Sequence, residues 1–383
     1  MALEIMIEFT NRTGLSTARK VSRRYLWTDA FAVCNFLELY HQTRDEKYKN
    51  LALHLVNQVH NVLGRHRKDD PRTGWISGLD EDEGKIHPTK GGLRIGKEMN
   101  ERRPTDPFDE RVEWDRDGQY YHYLTKWMHA LNCVSRFTGD ATYNILAIEL
   151  AKTAHAKFTD IPLSGGQKRM YWKMSIDLSY PLVESMGHHD PLEGFITYYQ
   201  LQTTAAKNYQ NSTWSDLSAE ISDMVTICEG KNWTTDDPLG LGGLLCDAFR
   251  VTQLIINDNF VQTDLLEILL YSSLQGLESY MRNNPLNLPA IYRLAFRELG
   301  LSIGLGTIDK LQGLIEQNLN FFTPQQNLLT LIKSLMQYQP LMKAIENYWL
   351  EPMSRKASSW TEHRDINMVM LATSLTPDAY LTI

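Results

Sequence analysis

Apolar positions recur along this chain at three- and four-residue intervals, the signature of helices, and the periodic stretches are of two kinds. In the first kind almost no polar face remains. From Tyr25 to Tyr40, Ala30, Val33, Cys34 and Leu37 combine with Phe31, Phe36 and Tyr40, which predicts an inner helix surrounded by others. The second kind is amphipathic: after the break Thr43-Arg44-Asp45, the stretch Tyr48 to Leu63 carries Leu51, Leu55, Val56, Val59 and Val62 on one side and reads as an outer helix. Residues 1–22 precede both and are expected to form a terminal arm, strand-like or extended.

The two-stroke unit repeats. Thr43-x-Asp45-x-x-Tyr48-x-x-x-Ala52-x-x-Leu55 matches Thr138-x-Asp140-x-x-Tyr143-x-x-x-Ala147-x-x-Leu150, each between an aromatic-rich and an amphipathic helix. Thr and Asp supply turn and capping chemistry, while Tyr, Ala and Leu form the packing stripe. Further pairs follow: Pro181 to Gln202 with Asn211 to Glu229, and Leu239 to Asn257 with Thr263 to Arg282. Ile291 to Leu305 precedes helices at Ile308 to Asn318 and Pro324 to Tyr348, and a last helix begins near Glu362. No alternating strand pattern of useful length competes, so the expected fold is all-α, one domain over residues 1–383, with helical hairpins closed into a double ring.

Connections sharpen this picture. Turns inside hairpins are short, whereas crossings to the next inner helix are long: 66–117, 159–180, 230–238 and 349–361, the first read as a long rim insertion. They carry Trp75, Trp172, Trp233, Trp349 and Trp360 with many acids, and in a ring they gather at one rim, where long loops are more often functional than idle.

Composition narrows the function. A net charge of -7 argues against nucleic acid as partner, and 43% hydrophobic with 22% charged residues suits an extensive core. Cys34, Cys133, Cys228 and Cys246 are widely spaced in apolar patterns and read as core residues of a reducing compartment. No signal peptide is evident and no run approaches the ~18 apolar residues of a membrane span, so the expectation is a cytoplasmic protein with no membrane partner.

Four constellations lie at the starts of inner helices. Trp27-Thr28-Asp29 is either a cap or a carboxylate whose pKa a neighbouring indole raises. Glu113 to His129 is the densest: Trp114, Asp115, Tyr121 and His122 are expected on the rim, with Trp127 and His129 in the wall behind. In the third, Asp177 to Asp190, a helix starting at Pro181 puts Glu184 and His188 on one face, as an acid/base unit or an ion pair. Trp360-Thr361-Glu362-His363-Arg364-Asp365 forms the fourth, and the closing helix of a ring brings it near Asp29. Arg293, with Glu298, is either a buried ion pair or a substrate contact, and Trp172 is expected to stack on a ring. No zinc spacing, nucleophile elbow or phosphate loop occurs, so neither a metal nor a cofactor is expected.

The alternating hairpins, Trp27-Thr28-Asp29 and the repeated Thr-x-Asp-x-x-Tyr turns resemble the six-hairpin glycosidase-like superfamily, which implies an (α/α)6 toroid. Within it, W-x-D opening an inner helix is similar to unsaturated glucuronyl hydrolases, which implies a catalytic Asp29. Gly187-His188-x-x-x-x-Glu193 and Trp360-x-x-His363 resemble motifs of N-acylglucosamine 2-epimerases and imply His188 and His363 as an acid/base pair. The expected function is therefore carbohydrate chemistry: first, a glycoside hydrolase pairing Asp29 with Asp115 or Asp177, its substrate held by Trp27, Trp114, Tyr121, His122, Trp172, Glu184, Arg293 and Trp360. The alternatives are a sugar 2-epimerase or isomerase using two His, and a sugar-binding toroid without catalysis. The oligomeric state is left open.

Overall fold

The computed structural model describes residues 1–15, 23–161, 166, 168–208, 215–258, 260, 262–283, 285–322 and 325–383. It divides into an N-terminal unit, Thr10–Gly230, and a C-terminal unit, Lys231–Ile383, with which Met1–Phe9 group. The first residues are helical: α1 (Ala2–Arg12) replaces the expected extended arm, because Ile5, Met6 and Phe9 recur at helical spacing and are all buried. Residues 16–22 of that segment lie outside the described residues.

In the N-terminal unit α2 (Leu26–Thr43) and α3 (Glu46–Leu63) form a hairpin, and α2 is buried along most of its length while α3 buries one stripe. The long crossing holds two short helices, α4 (Glu81–Ile86) and α5 (Glu110–Glu113). Then β1 (Gln119–Tyr120) runs directly into α6 (Tyr121–Thr138), which is hairpinned to α7 (Thr142–Phe158). Four short strands follow, β2 (Thr159–Asp160), β3 (Arg169–Met170), β4 (Lys173–Met174) and β5 (Pro181–Val183), before α8 (Asp190–Asn208) and α9 (Ser218–Cys228). Helix α6 packs between α2 and α8, so it is the central inner helix of this unit.

The strands correct the expectation of a helix from Pro181. Strands β1, β4 and β5 form an antiparallel sheet, with Tyr120 opposite Lys173 and Lys173 opposite Val183. Pro181 opens an edge strand, where its missing N–H costs no ladder bond. The proline that accompanies the helix start is Pro191, one residue into α8. Residues 211–214, expected to open the following helix, lie outside the described residues.

The C-terminal unit begins with α10 (Pro238–Asp258) and α11 (Thr263–Arg282), then α12 (Ala295–Leu305), α13 (Ile308–Gln317), α14 (Gln325–Met336) and α15 (Pro340–Leu350). It ends with α16 (Ser358–Thr361), α17 (Arg364–Leu375) and α18 (Asp378–Leu381). Helices α10, α12 and α17 pack side by side and are buried along most of their lengths. By length and composition α10 is apolar enough to cross a membrane, contrary to the sequence expectation; 78% of its apolar window is buried within the protein.

The repeated corner is built alike both times. In the first, Thr43 Oγ1 donates to Leu39 O, the N–H of Asp45 donates back to Thr43 Oγ1, and Asp45 Oδ1 accepts from Lys47 N at 3.0 Å. In the second, Thr138, Val134, Asp140 and Thr142 repeat these bonds, the last at 2.9 Å. Ala52 and Ala147, then Leu55 and Leu150, are fully buried beyond the corner. The repeat is thus a chemical device: it ends one helix, caps the next and starts the packing stripe.

Glycines set the approach of α10 to α12. A Cβ on Gly242 would lie 2.0 Å from the Gly300 carbonyl oxygen, and one on Gly304 would lie 2.5 Å from that of Gly242. Next in sequence, Gly243 faces open space. Gly242→Ala is therefore expected to cost about 1–3 kcal/mol through overpacking. Gly243→Ala should be neutral or stabilise by up to about 1 kcal/mol through helix propensity. Urea denaturation of both variants decides this, and equal effects at the two positions would refute the close-packing account.

Candidate functional site

The site in the N-terminal unit grows from the way β1 hands the chain to α6. Its N-cap residue, Tyr120, is extended and offers no capping side chain; the first helical N–H, of Tyr121, donates instead to Trp172 O at 3.3 Å. Trp172 is thereby tied to the first turn of α6. Behind it, the fully buried Lys173 Nζ donates to Glu113 Oε1 at 2.8 Å, to Glu113 O at 2.8 Å and to Arg116 O at 2.9 Å. Burial lowers the pKa of this ammonium, and the paired Glu113 carboxylate opposes that shift. The buried Asp117 completes the anchor, accepting from Arg94 at 2.8 Å, Arg67 at 3.2 Å and the N–H groups of Gly96 and Gly118.

These anchors hold an aromatic box. The ring of His122 lies 5.9 Å from that of Trp27 in edge contact and is stacked 6.3 Å from Trp172. Tyr120 and Tyr123 fill the gaps, and the Tyr25 and Tyr123 hydroxyls share a hydrogen bond of 2.7 Å. Trp114 meets Trp172 edge-on at 5.1 Å and remains 44% exposed, so it forms the outer lip.

Ionisable groups come from one turn further along α6 and from the start of α8. Lys126 Nζ and Thr125 Oγ1 donate to Glu193 at 2.7 and 2.9 Å. Burial works against the Glu193 charge, yet Lys126, His122 and Thr125 together hold its pKa below the usual value. Asp190 has no such partner: its Oδ1 lies 3.8 Å from His122 Nδ1, beyond hydrogen-bond range. Burial, with the Glu193 charge added, pushes the Asp190 pKa well above the carboxylate range. Burial likewise lowers the His122 pKa to about 4, with Lys126 pushing the same way and Glu193 opposing. Three polar atoms here, Trp27 Nε1, His122 Nδ1 and Asp190 Oδ2, are buried without a hydrogen-bond partner. Gly187 makes room for the carboxyl, since a Cβ there would lie 2.4 Å from it.

The structure distributes the sequence-based candidates unevenly. Trp27, His122 and Trp172 meet in the box, with Trp114 at its lip. Tyr121, expected on the rim, points inward: it is fully buried and its hydroxyl donates to Tyr198 at 2.8 Å. Asp29 is also buried, capping the Tyr25 N–H at 3.0 Å and facing Arg24 at 3.5 Å. Asp115 is exposed on the surface, and Asp177 is held by Arg72 at 2.8 Å and by Ser175 and Ser179. Glu184 and His188 are exposed and lie before α8, so they do not share a helical face; the ring of His188 contacts that of His189. Trp127 is buried and donates to His60 at 3.1 Å.

In the C-terminal unit Arg293 is buried in a two-pronged pair with Glu298, at 2.8 and 2.6 Å, beneath the Tyr348 ring. Trp360 is buried and stacked on Trp349 at 5.7 Å, away from the role of an open sugar platform. His363 is exposed at the N-cap of α17, its ring edge-on to Phe296.

Sequence reasoning missed two groupings. Asp190 and Glu193 stood beside the expected Glu184–His188 face, and only the true start of α8 reveals that they point at α6. Cys34 and Cys133, expected to be unrelated core residues, meet at His129. The signal for the second was the four-residue spacing of His129 and Cys133, which places both on one face of α6.

No protein-family model and no curated protein matches the chain. Among solved structures it is similar to a sugar epimerase from a ruminal bacterium, with a TM-score of 0.50 and 11% identity over 98% of both chains. It is also similar to cellobiose 2-epimerase from Spirochaeta thermophila DSM 6192, with a TM-score of 0.46 and 11% identity over 93% of this chain and 87% of the other. The former likeness, together with the helical hairpins, shows an all-α fold of the (α/α)6 class.

The two unusual titrations have opposite signs. The pKa of His122 is lower folded than unfolded, so the stability tied to its neutral form is complete above about pH 6.5 and is lost as pH falls towards 4. That loss amounts to at most about 3 kcal/mol. Asp190, with its raised pKa, favours the fold at low pH and loses that contribution as pH rises. Urea midpoints measured from pH 4 to 9 should show a shallower acid limb in His122→Gln and a gain at high pH in Asp190→Asn. Profiles parallel to wild type would refute both assignments.

Proposed function

We propose that the chain is a carbohydrate-active enzyme of the epimerase or isomerase type, working at the box formed by the starts of α6 and α8. The observation that carries this reading is the trio of buried, unpartnered polar atoms on Trp27, His122 and Asp190 inside aromatic walls. An unmade hydrogen bond in a buried site costs about 1–3 kcal/mol per group, a cost that a polyhydroxylated ligand would offset. Sugar rings suit such a place: their C–H faces stack on indole and phenol while their hydroxyls reach the polar atoms. The likeness to the ruminal-bacterium structure named as a sugar epimerase supports the same substrate class.

Hydrolysis has less support than at the sequence level. It needs two carboxyls facing a glycosidic bond. Asp29 is instead a buried cap, Asp177 is held by Arg72 and two serines, and Asp115 is on the surface. Proton transfer beside a carbonyl needs groups whose pKa values approach the working pH. Burial and the Glu193 charge raise Asp190 above the carboxylate range, in the direction that such a role needs. In this reading Asp190 carries the proton to and from the carbon beside the carbonyl of the open-chain sugar. His122, neutral, bonds the neighbouring hydroxyl, and the Lys126–Glu193 pair holds the charge balance of the pocket. The acid/base role thus passes from the expected His188 and His363 to Asp190 with His122.

The test is incubation with reducing mono- and disaccharides in D2O, read by NMR for C2 epimers, ketose and deuterium at C2. Turnover with deuterium uptake is expected, and Asp190→Asn should lower it by roughly 10²–10⁴-fold. His188→Ala should retain it. Cleavage of a glycosidic bond would favour the hydrolase, and tight sugar binding with no turnover would leave a binding toroid. Undiminished turnover in Asp190→Asn would remove the assigned residue.

A further inference from the structure

One cluster lies outside the aromatic box and takes no part in the chemistry proposed for it. Cys34 on α2 and His129 and Cys133 on α6 each offer one ligand atom, and these atoms all lie within 4.8 Å of one another. All three residues are buried, with 2% exposure or less. Nε2 of His129 lies 3.5 Å from Cys133 Sγ, close to the roughly 3.5–3.8 Å that two such ligands span on a tetrahedral ion with bonds of about 2.0–2.3 Å.

The hydrogen bonds behind His129 settle which of its nitrogens is available. Asn132 Nδ2 donates to Asn144 Oδ1 at 2.8 Å and to Thr204 Oγ1 at 2.9 Å, so Asn132 Oδ1 is left to accept from Gln200 Nε2 at 2.7 Å. That orientation turns Gln200 Oε1 towards His129 Nδ1, 3.3 Å away, where an acceptor calls for the Nδ1–H tautomer. The lone pair then sits on Nε2 and faces the sulfurs. An outer partner fixing the tautomer and ring angle in this way is what metal-bound imidazoles generally have. Arg136 donates to Cys133 Sγ at 3.5 Å from the other side and favours the thiolate.

We propose that Cys34, His129 and Cys133 form a buried site for one thiophilic d10 cation, of the zinc(II) or copper(I) class. Thiolates and imidazole select such ions over magnesium or calcium. Charge is balanced in the loaded site: zinc(II) with two thiolates is neutral, and copper(I) with two thiolates leaves one negative charge, beside which the Arg136 guanidinium lies. Binding displaces the two thiol protons to solvent and changes no oxidation state. The ion would join α2 to α6 in the wall behind the aromatic box.

Metal-free, reduced protein is titrated with zinc(II) and, separately and anaerobically, with copper(I), each against a chromophoric competitor. The expected result is one equivalent of at least one of the two ions bound, with a rise in the thermal midpoint. Circular dichroism checks the fold of each variant. Cys34→Ala/Cys133→Ala should abolish the stoichiometric binding and the thermal shift, while Cys228→Ala/Cys246→Ala should keep both. Gln200→Ala retains all three ligands and should weaken binding roughly 10–100-fold. Stoichiometric binding of only one ion identifies the class member. Binding of neither, binding that survives in the Cys34/Cys133 double variant, or loss of two hydrogens as a Cys34–Cys133 disulfide in place of metal uptake would overturn the proposal.

Discussion

The charge pattern of the candidate site depends on one ammonium, that of Lys126, which pairs with one of two buried carboxyls. Lys126 donates to Glu193 at 2.7 Å. Asp190, one helical turn earlier on α8, has no ion pair with a lysine or arginine among the described residues, and burial with the Glu193 charge pushes it towards its protonated form. With one cation for two acids among the described residues, burial separates their behaviour: the Glu193 carboxylate stays charged, while Asp190 is pushed towards its protonated form. His122, between them, remains neutral because the same burial disfavours its cation.

That arrangement needs a rigid frame, which the long crossing supplies. Residues 66–117 carry little helix, so their order comes from ionic anchors. Arg72 joins Asp70, Glu101 and Asp177, while Asp117 gathers Arg94, Arg67 and two backbone N–H groups. Lys173 extends the frame beneath β1 and β4. Leu178, at φ 58°, sits in a backbone region that a side chain with a Cβ rarely adopts, and the Ser175, Asp177 and Ser179 bonds around it hold the turn. Buried ion pairs contribute little net stability in general. Their value here is positional: each charged group fixes a loop against the first turn of α6.

Legibility of the sequence followed the range of the interactions. The corners at Thr43-Arg44-Asp45 and Thr138-Gly139-Asp140 are made of bonds over a few residues, and the motif therefore announced both the turn and the helices on either side. The apolar pattern of α2 and α10 announced inner helices for the same reason. Glu113 to His129 stood out by composition, and the placement of Trp127 behind the rim followed from helical period alone. What failed depended on distant partners. Pro181 reads as a helix start until β4 is known to lie beside it, and Tyr121 reads as a rim group until Tyr198 is found opposite its hydroxyl. Asp29 carried a motif, yet Arg24 and the Tyr25 N–H occupy it. The spacing of His129 and Cys133 on α6 was local, whereas no local pattern could announce that Cys34 of α2 joins them.

The repeated corner has a consequence for the order in which the molecule assembles. Its hydrogen bonds close between residues at most four apart, so each hairpin can form as soon as its own segment of chain exists. Local contacts of this kind favour rapid folding. The aromatic box and its acids draw instead on α2, β1, α6, the link between β3 and β4, and α8, which a nascent chain delivers one after another. The box is therefore incomplete until α8 has been made, and a stalled or truncated chain ending before α8 would be well supplied with helices while lacking Asp190 and Glu193 altogether.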